Sequence, residues 1–307
     1  MKVAVTGAAG FVGGFVVNEL QRRGHAVRVL SRRAGAARSR FNLPVSETIG
    51  EITRPETLPE LFSGCDAVVH LVGIIDESEG LTFDQVHREG VENVVRAAVR
   101  AGSGRLLHMS AMGASADAPS EYGRTKAGGE KAVRESPLAW TIFRPSLIFG
   151  PGDGFVSRLA RVVRLNPGFV PVIGPGTVRF LPVSVRDVAR LFADALEKGE
   201  SARRTLEVGG PEIWDMNGIC REIASALGKP RKPLVHLPVW YGRLLARVLS
   251  VLPHPPLTVD QLRSLSRDNV ADISATTEMF GPCPRTFAEG IREYLRPPFR
   301  HDATIGI

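Results

Sequence analysis

Two short stretches of this chain combine residue types and spacings that suit chemistry. In Thr6-Gly7-Ala8-Ala9-Gly10-Phe11-Val12-Gly13, glycines recur every third residue, directly after the apolar run Val3 to Thr6 and at the opening of a helical pattern. Glycines so placed permit a tight turn, close approach of the main chain to a pyrophosphate and close packing of the helix. The helix N-terminus adds free N–H groups and the positive end of a dipole. A glycine triplet alone is a weak pattern; the strand before it and the helix after it are the context that makes it a dinucleotide site. In the second stretch, Tyr122 and Lys126 stand four apart behind Ser120, a suitable helix cap, so both side chains point to one helical face. An ammonium beside a phenol stabilises the phenolate, and the expected result is a Tyr pKa below its ordinary value of about 10 and a usable proton donor or acceptor.

A third feature bears on which nucleotide binds. About 20 residues beyond the glycine loop, a Rossmann protein using NAD places an acidic side chain on the ribose hydroxyl. This chain has Ser31-Arg32-Arg33 there. A carboxylate would repel a 2′-phosphate, whereas a guanidinium grips it bidentately, so NADP(H) is favoured. Arg32 and Arg33 also read as solvated arginines, which leaves NAD(H) open.

The elements that must position these groups follow from periodicity. Val3 to Thr6, Ala26 to Leu30, Ala67 to Leu71, Arg105 to Met109 and Trp140 to Phe143 are compact apolar runs that predict buried strands. Amphipathic helices are predicted over Phe11 to Arg23, Pro55 to Phe62, Phe83 to Ala101 and Glu121 to Arg134. The alternation implies an α/β fold: a doubly wound Rossmann sheet of parallel strands with helices on both faces. After Gly150 the rhythm dissolves into Pro/Gly-rich stretches mixed with helices. The expected organisation is therefore a dinucleotide-binding domain over 1–150 and a smaller, irregular substrate or partner lobe over 151–307, part of 177–210 returning to the first. Gly128 and Gly129 permit close packing of the last of these helices, either between two copies or against the protein's own sheet, so the oligomeric state stays open.

Composition narrows the class. The 307 residues are 43% hydrophobic and 23% charged, an ordinary globular balance that excludes disorder and a disulfide scaffold. Cys65, Cys220 and Cys283 are widely spaced, with no Cys-x-x-Cys, so neither metal nor redox dithiol is expected and a reducing, cytoplasmic setting is. The net charge of +7 rests on 33 Arg against 6 Lys, scattered in small groups such as Arg32 to Arg40 without interleaved aromatics; no nucleic-acid partner is expected. Glycines 7, 10, 13 and 14 would break a signal-peptide helix. Pro238 to Leu252 is the most apolar window, but Arg243 and Arg247 interrupt it. A helix over Val239 to Val251 therefore suits a core-packed element, or a peripheral contact with a membrane surface or protein partner, better than a span.

In these residues and the motifs around them, the chain resembles the extended, atypical branch of the short-chain dehydrogenase/reductase superfamily. The motifs are TGAAGFVG, DAVVHLVG, VHREGVENVVRAA, HMSAMGA, YGRTKAGGEKAV, FRPSLIFGPGD and LPVSVRDVARLFADAL, and they run over nearly the whole sequence. HMSAMGA, IFRPSLIFGPGDGF and LTVDQLRSLSRDNV are most similar to the Rossmann-fold accessory subunit of respiratory complex I, alpha-subcomplex subunit nine, and its free-standing bacterial relatives. The resemblance implies that Thr6, Gly7, Ala9, Gly10, Phe11, Val12 and Gly13 hold the pyrophosphate and that Ser31, Arg32 and Arg33 meet the adenosine phosphate. Leu71, Val72 and Gly73 would line the adenosine and ribose, Lys126 would bind the nicotinamide ribose beside Tyr122, and Pro145 with Ser146 would border the nicotinamide.

The chain also departs from that pattern. Active extended members usually carry Ser or Thr after the fifth strand to hydrogen-bond the substrate oxygen. Ala111 stands there, with Ser110 one residue earlier and expected on the other side of the strand; Ser110 is kept as a catalytic candidate beside Tyr122 and Lys126. Met109, Met112, Phe149 and Phe155 would give the nicotinamide an apolar surround suited to a hydrophobic carbonyl or quinone, such as ubiquinone, or are ordinary core residues. Two functions follow. One is an NADP(H)-dependent oxidoreductase acting on a small hydrophobic substrate. The other is a non-catalytic NADP(H)-holding protein of a respiratory or quinone-biosynthesis system. Nucleotide-sugar epimerase or dehydratase chemistry is the lesser alternative.

Overall fold

The computed structural model describes residues 1–35, 41–77, 80–250 and 257–295. The chain forms two compact units. The first contains Met1–Pro145, Arg186–Val208 and Asp272–Gly281; the second contains Ser146–Val185, Gly209–Ala271 and residues from 282 onward.

The first unit is built on seven parallel strands. In chain order they are β1 (Lys2–Thr6), β2 (Ala26–Ser31), β3 (Ser46–Ile49), β4 (Ala67–His70), β5 (Arg105–Met109), β6 (Ala139–Pro145) and a seventh, Arg204–Val208. Their spatial order is seventh, β6, β5, β4, β1, β2, β3. The direction of winding reverses between β1 and β4, and in such sheets ligands bind outside the carboxyl ends of the strands at that reversal. The sequence reading supplied five of the seven strands. Ser46–Ile49 was missed because SETI alternates weakly at an exposed edge, and Arg204–Val208 because its polar RTLEV pattern is paid for only by pairing with β6.

Helices cover both faces. On one side α2 (Pro59–Phe62), α3 (Gly90–Arg100) and α4 (Glu121–Arg134) press Leu61, Phe62, Val91, Val94 and Val133 onto Ala4, Val68, Leu106 and Ile142 of the strands. On the other, Phe143 meets Phe192 of the helix Val185–Glu197 at 4.9 Å between ring centroids and Phe280 of the helix Ser274–Phe280 at 6.1 Å. The helix expected over Phe83 to Ala101 opens with a π turn, Gln85–Glu89, before α3 begins. Gly129 on α4 admits the His87 carbonyl of that turn: a Cβ there would lie 2.1 Å from the oxygen. This close approach is intramolecular, and it is to the π turn rather than to the sheet.

The second unit packs short paired strands, among them Val170–Ile173 with Leu234–Leu237, around helices Phe155–Leu165, Met216–Ala226 and Phe287–Leu295. Its core includes Phe149, Phe180, Ile219, Ile223 and Phe287. The helix expected over Val239 to Val251 covers Val239–Leu249; Val251, like 36–40 of the basic group, lies outside the described residues. Among the described residues, no helix is long and apolar enough to cross a membrane.

Candidate active site

At the carboxyl ends of β1 and β4, the turn after Thr6 brings Gly7 against the segment that follows β4. Gly7 adopts φ +78°, and a Cβ on it would lie 2.8 Å from both the Leu71 carbonyl carbon and the Val72 nitrogen. Gly13, in the first turn of α1 (Phe11–Arg22), is tighter still: a Cβ would lie 2.1 Å from the Gly7 carbonyl oxygen. Both contacts are with main chain, so no side-chain movement relieves them. Gly10 caps α1 with no side-chain hydrogen bond, and the first turn contains no acid. The leading N–H groups, with Phe11 and Val12 among them, therefore face a position suited to an anion. Ala9 is partly exposed in the turn, and Leu71 is buried, its N–H donating to the Thr6 carbonyl at 3.1 Å; Val72 is partly exposed and Gly73 exposed. These residues fit a dinucleotide pyrophosphate: the turn is made of main chain packed on main chain, and a Cβ at Gly7 or Gly13 would break that packing.

Ser31 closes β2 with its hydroxyl turned inward, donating to the Arg33 carbonyl at 2.7 Å, while Arg32 and Arg33 are exposed at the strand's carboxyl end. No carboxylate stands within 31–35 of the sequence, but Glu47 of β3 reaches the segment, its Oε2 accepting the Gly35 N–H at 2.8 Å.

Across the reversal, Ser120 caps α4 by accepting the Gly123 N–H at 3.2 Å. One turn later Lys126, 4% exposed, donates from Nζ to the Met109 carbonyl at 2.8 Å and so ties α4 to the end of β5. Tyr122 is partly buried, its ring edge-on to His87 and Phe83 at 5.3 and 6.0 Å. His87 donates from Nδ1 to Thr125 Oγ1 (3.1 Å) when its Nε2 accepts the Ile74 N–H (3.1 Å). Thr125 in turn donates to main-chain carbonyls of its own helix, so the tautomer is fixed by the geometry.

Electrostatics correct one expectation. Burial pushes the Tyr122 phenol up to about 12, and the neighbouring ammonium does not reverse this. Burial acts on Lys126 too, lowering it to about 8 while Glu130 pulls the other way. Sequence spacing located the pair but could not show that the site is dry enough for desolvation to outweigh the charge.

The remaining candidates separate. Ser110 N–H donates to the Phe143 carbonyl at 2.8 Å; its side chain is 3% exposed, and Ala111 is partly exposed. Pro145 ends β6, where its carbonyl accepts the Met112 N–H at 2.9 Å. Ser146 begins the second unit, and its hydroxyl is engaged there by Asn269 Oδ1 at 2.6 Å and the Leu181 N–H at 3.0 Å. Phe149 is 1% exposed and packs edge-on against Phe287 in the second unit's own core. The sequence reading missed the three buried histidines, His70, His87 and His108. Their signal was a histidine near the end of each of two successive apolar strands and another on the helix face that covers them.

The comparisons with known proteins agree with this geometry. Residues 3–209 match the NAD dependent epimerase/dehydratase family. The chain is 28% identical over 289 residues to the NADH dehydrogenase [ubiquinone] 1 alpha subcomplex subunit 9, mitochondrial, of Arabidopsis thaliana, covering 88% of this chain and 71% of that protein. It is 33% identical over 245 residues to the ceramide reductase of Caulobacter vibrioides, covering 77% and 73%. Among solved structures, the dTDP-glucose 4,6-dehydratase DesIV of Streptomyces venezuelae, crystallised with NAD and TYD bound, superposes with a TM-score of 0.74 over 96% of both chains at 20% identity, a likeness of fold. The glycine cradle, the seven-stranded parallel sheet and the match over two thirds of its length make this chain a member of the NAD-dependent epimerase/dehydratase family, the extended short-chain dehydrogenases, with the complex I subunit and ceramide reductase among its homologues.

Proposed function

We propose that the protein is an NADP(H)-dependent oxidoreductase acting on a hydrophobic carbonyl or quinone-like substrate. The observation that carries this reading is the placement of Tyr122 and buried Lys126 on one face of α4, with Lys126 anchored to Met109 at the same carboxyl edge that holds the Gly7–Gly13 cradle. When bound, the nucleotide supplies or accepts the hydride. The chain's own residues do the rest. The cradle and the α1 N-terminus hold the pyrophosphate, Arg32 and Arg33 meet the 2′-phosphate, and Leu71, Val72 and Gly73 border the adenosine side. Lys126 orients the nicotinamide ribose, and Tyr122 moves a proton at its Oη. Burial keeps the phenol protonated, so Tyr122 would act as the proton donor in carbonyl reduction. The apolar substrate class draws support from the reductase named among the relatives and from Met112, 7% exposed beyond β5.

A specific observation favours a second reading, an NADP(H)-holding accessory protein. Trp240, Leu244 and Val248, at i, i+4 and i+8 of the helix Val239–Leu249, are 66, 52 and 61% exposed beside exposed Arg243 and Arg247, while Gly242 and Ala246 are buried. Such a face suits a protein partner or an anionic membrane surface in the cytoplasm. Ala111 in place of a hydroxyl donor, and the complex I subunits among the relatives, point the same way.

Oxidation of NADPH by a panel of short-chain quinones and hydrophobic carbonyls, with the parent and Tyr122→Phe, separates the two. Turnover that the variant lowers by about 10²-fold, the loss of a general acid, supports the enzyme. Tight NADPH binding with no acceptor and no difference between the proteins supports the accessory role.

A further inference from the structure

Among the described residues, four of the buried polar atoms without a hydrogen-bond partner belong to His70, His108 and Ser110, at the ends of β4 and β5. His70 and His108 are register neighbours on β4 and β5, each 1% exposed, with parallel rings 5.3 Å apart. His70 Nδ1 is hydrogen-bonded with Thr6 Oγ1 at 2.6 Å, but its Nε2 has no partner among the described residues. Neither ring nitrogen of His108 has one, nor does Oγ of Ser110, two residues further along the same face. A neutral imidazole always carries one N–H and one lone pair, and each such group left unmet in the interior is destabilising. Native interiors meet this cost with internal water, found at about one molecule per 27 residues.

Beside these groups is a charge short of solvation. Lys126 spends one of its three N–H groups on the Met109 carbonyl, which lies between His108 and Ser110 in the chain. Glu130, the nearest acid on its helix, is fully buried and held by Arg134 and by Arg144 at 2.7 Å. Burial, and after it the Lys126 charge, keeps His70 down to about 3 and His108 well below its ordinary value. The rings therefore stay neutral and do not compete for the proton.

We propose that His70, His108 and Ser110 enclose ordered water behind Lys126, and that this water solvates the buried ammonium and keeps it charged; the inference rests on the Tyr122 and Lys126 reading above. The three are positioning residues. A neutral histidine can present either nitrogen as donor or acceptor, so the pair can orient water toward a cation. The titratable and charged groups facing Lys126 are His70 from β4, His87 from the π turn, His108 from β5, and Tyr122 and Glu130 from α4; Arg134 acts on the same cluster through His108.

The test uses the full chain as parent, His108→Phe, which replaces the ring nitrogens with apolar surface, and His108→Gln, which restores a donor and an acceptor. The readouts are a crystal structure at a resolution that shows water, the Lys126 titration followed by NMR, and NADPH affinity. The expected parent structure has ordered water within hydrogen-bond reach of His108 and Ser110. In His108→Phe that water is lost and the Lys126 midpoint falls about one pH unit below the parent's, a tenfold change in proton affinity, while His108→Gln stays near the parent. Should His108→Phe fail to fold, Ser110→Ala is expected to shift the midpoint the same way by less. Dry histidines in the parent, or an unmoved midpoint in a folded variant, would overturn the proposal. Failure of the parent to bind NADPH would instead overturn the nucleotide reading and leave the titration result standing.

Discussion

The two halves of the candidate site, the glycine loop after β1 and the pocket between β5 and α4, are built from different materials. The loop is main chain against main chain: Gly7 and Gly13 leave no room for a methyl group, and no ionisable side chain takes part. The pocket depends on side chains, with Lys126 and three histidines buried beside a partly buried Tyr122, and desolvation there moves every titration away from its ordinary value. A backbone site is indifferent to pH and intolerant of volume. A desolvated polar pocket is the reverse.

Acid gives the largest expected contrast. His70 and His87 are held down to about 3 and about 2, and His108 well below its ordinary value, so below pH 6.5 the unfolded chain binds protons that the folded chain refuses. The stability these neutral rings contribute is fully present above 6.5 and is lost as pH falls through the window toward 3. Each ring contributes a slope of up to ~1.4 kcal/mol per pH unit, so three together give ~4 kcal/mol per unit once all are titrating. Urea unfolding between pH 7 and 5 checks this, and replacing His108 by Phe should flatten the slope by about a third. The loop is broken instead by volume: Gly13→Val should abolish NADPH binding, a loss of at least ~10²-fold, or ~2.7 kcal/mol, in calorimetry at any pH where the protein is folded. Tyr122→Phe sharpens the division, since it should leave NADPH affinity within about twofold of the parent while removing the general acid. The smallest effect is expected at the exposed end of β2. Arg32→Ala with Arg33→Ala should cost NADPH about tenfold in affinity and NADH little, because a charge-assisted contact in solvent is worth ~1.5 kcal/mol.

How much was legible in advance follows the same division. The glycine spacing, the strand before it and the helix after it are local, so the loop, its helix and most of the sheet could be read from periodicity. Tyr122, Lys126 and the Ser120 cap were legible as a helical spacing. Their electrostatics were not, because desolvation depends on what β4, β5 and the π turn place around them. The histidine pair escaped notice because His70 and His108 are 38 residues apart in sequence and meet only through strand register. For Phe149 the sequence left a core role and a site role open, and the structure places it in the second unit's core; Ser146, next to Pro145 in sequence, begins that same unit.

The most direct test of the central claim, that this carboxyl edge is an NADP(H) site built of backbone, is a calorimetric titration of NADPH and NADH into the parent and into Gly13→Val at neutral pH. The account expects the parent to bind NADPH tightly and NADH more weakly, and a folded Gly13→Val protein to bind neither. A parent that binds no nucleotide, or a Gly13→Val protein that binds NADPH as the parent does, would contradict it.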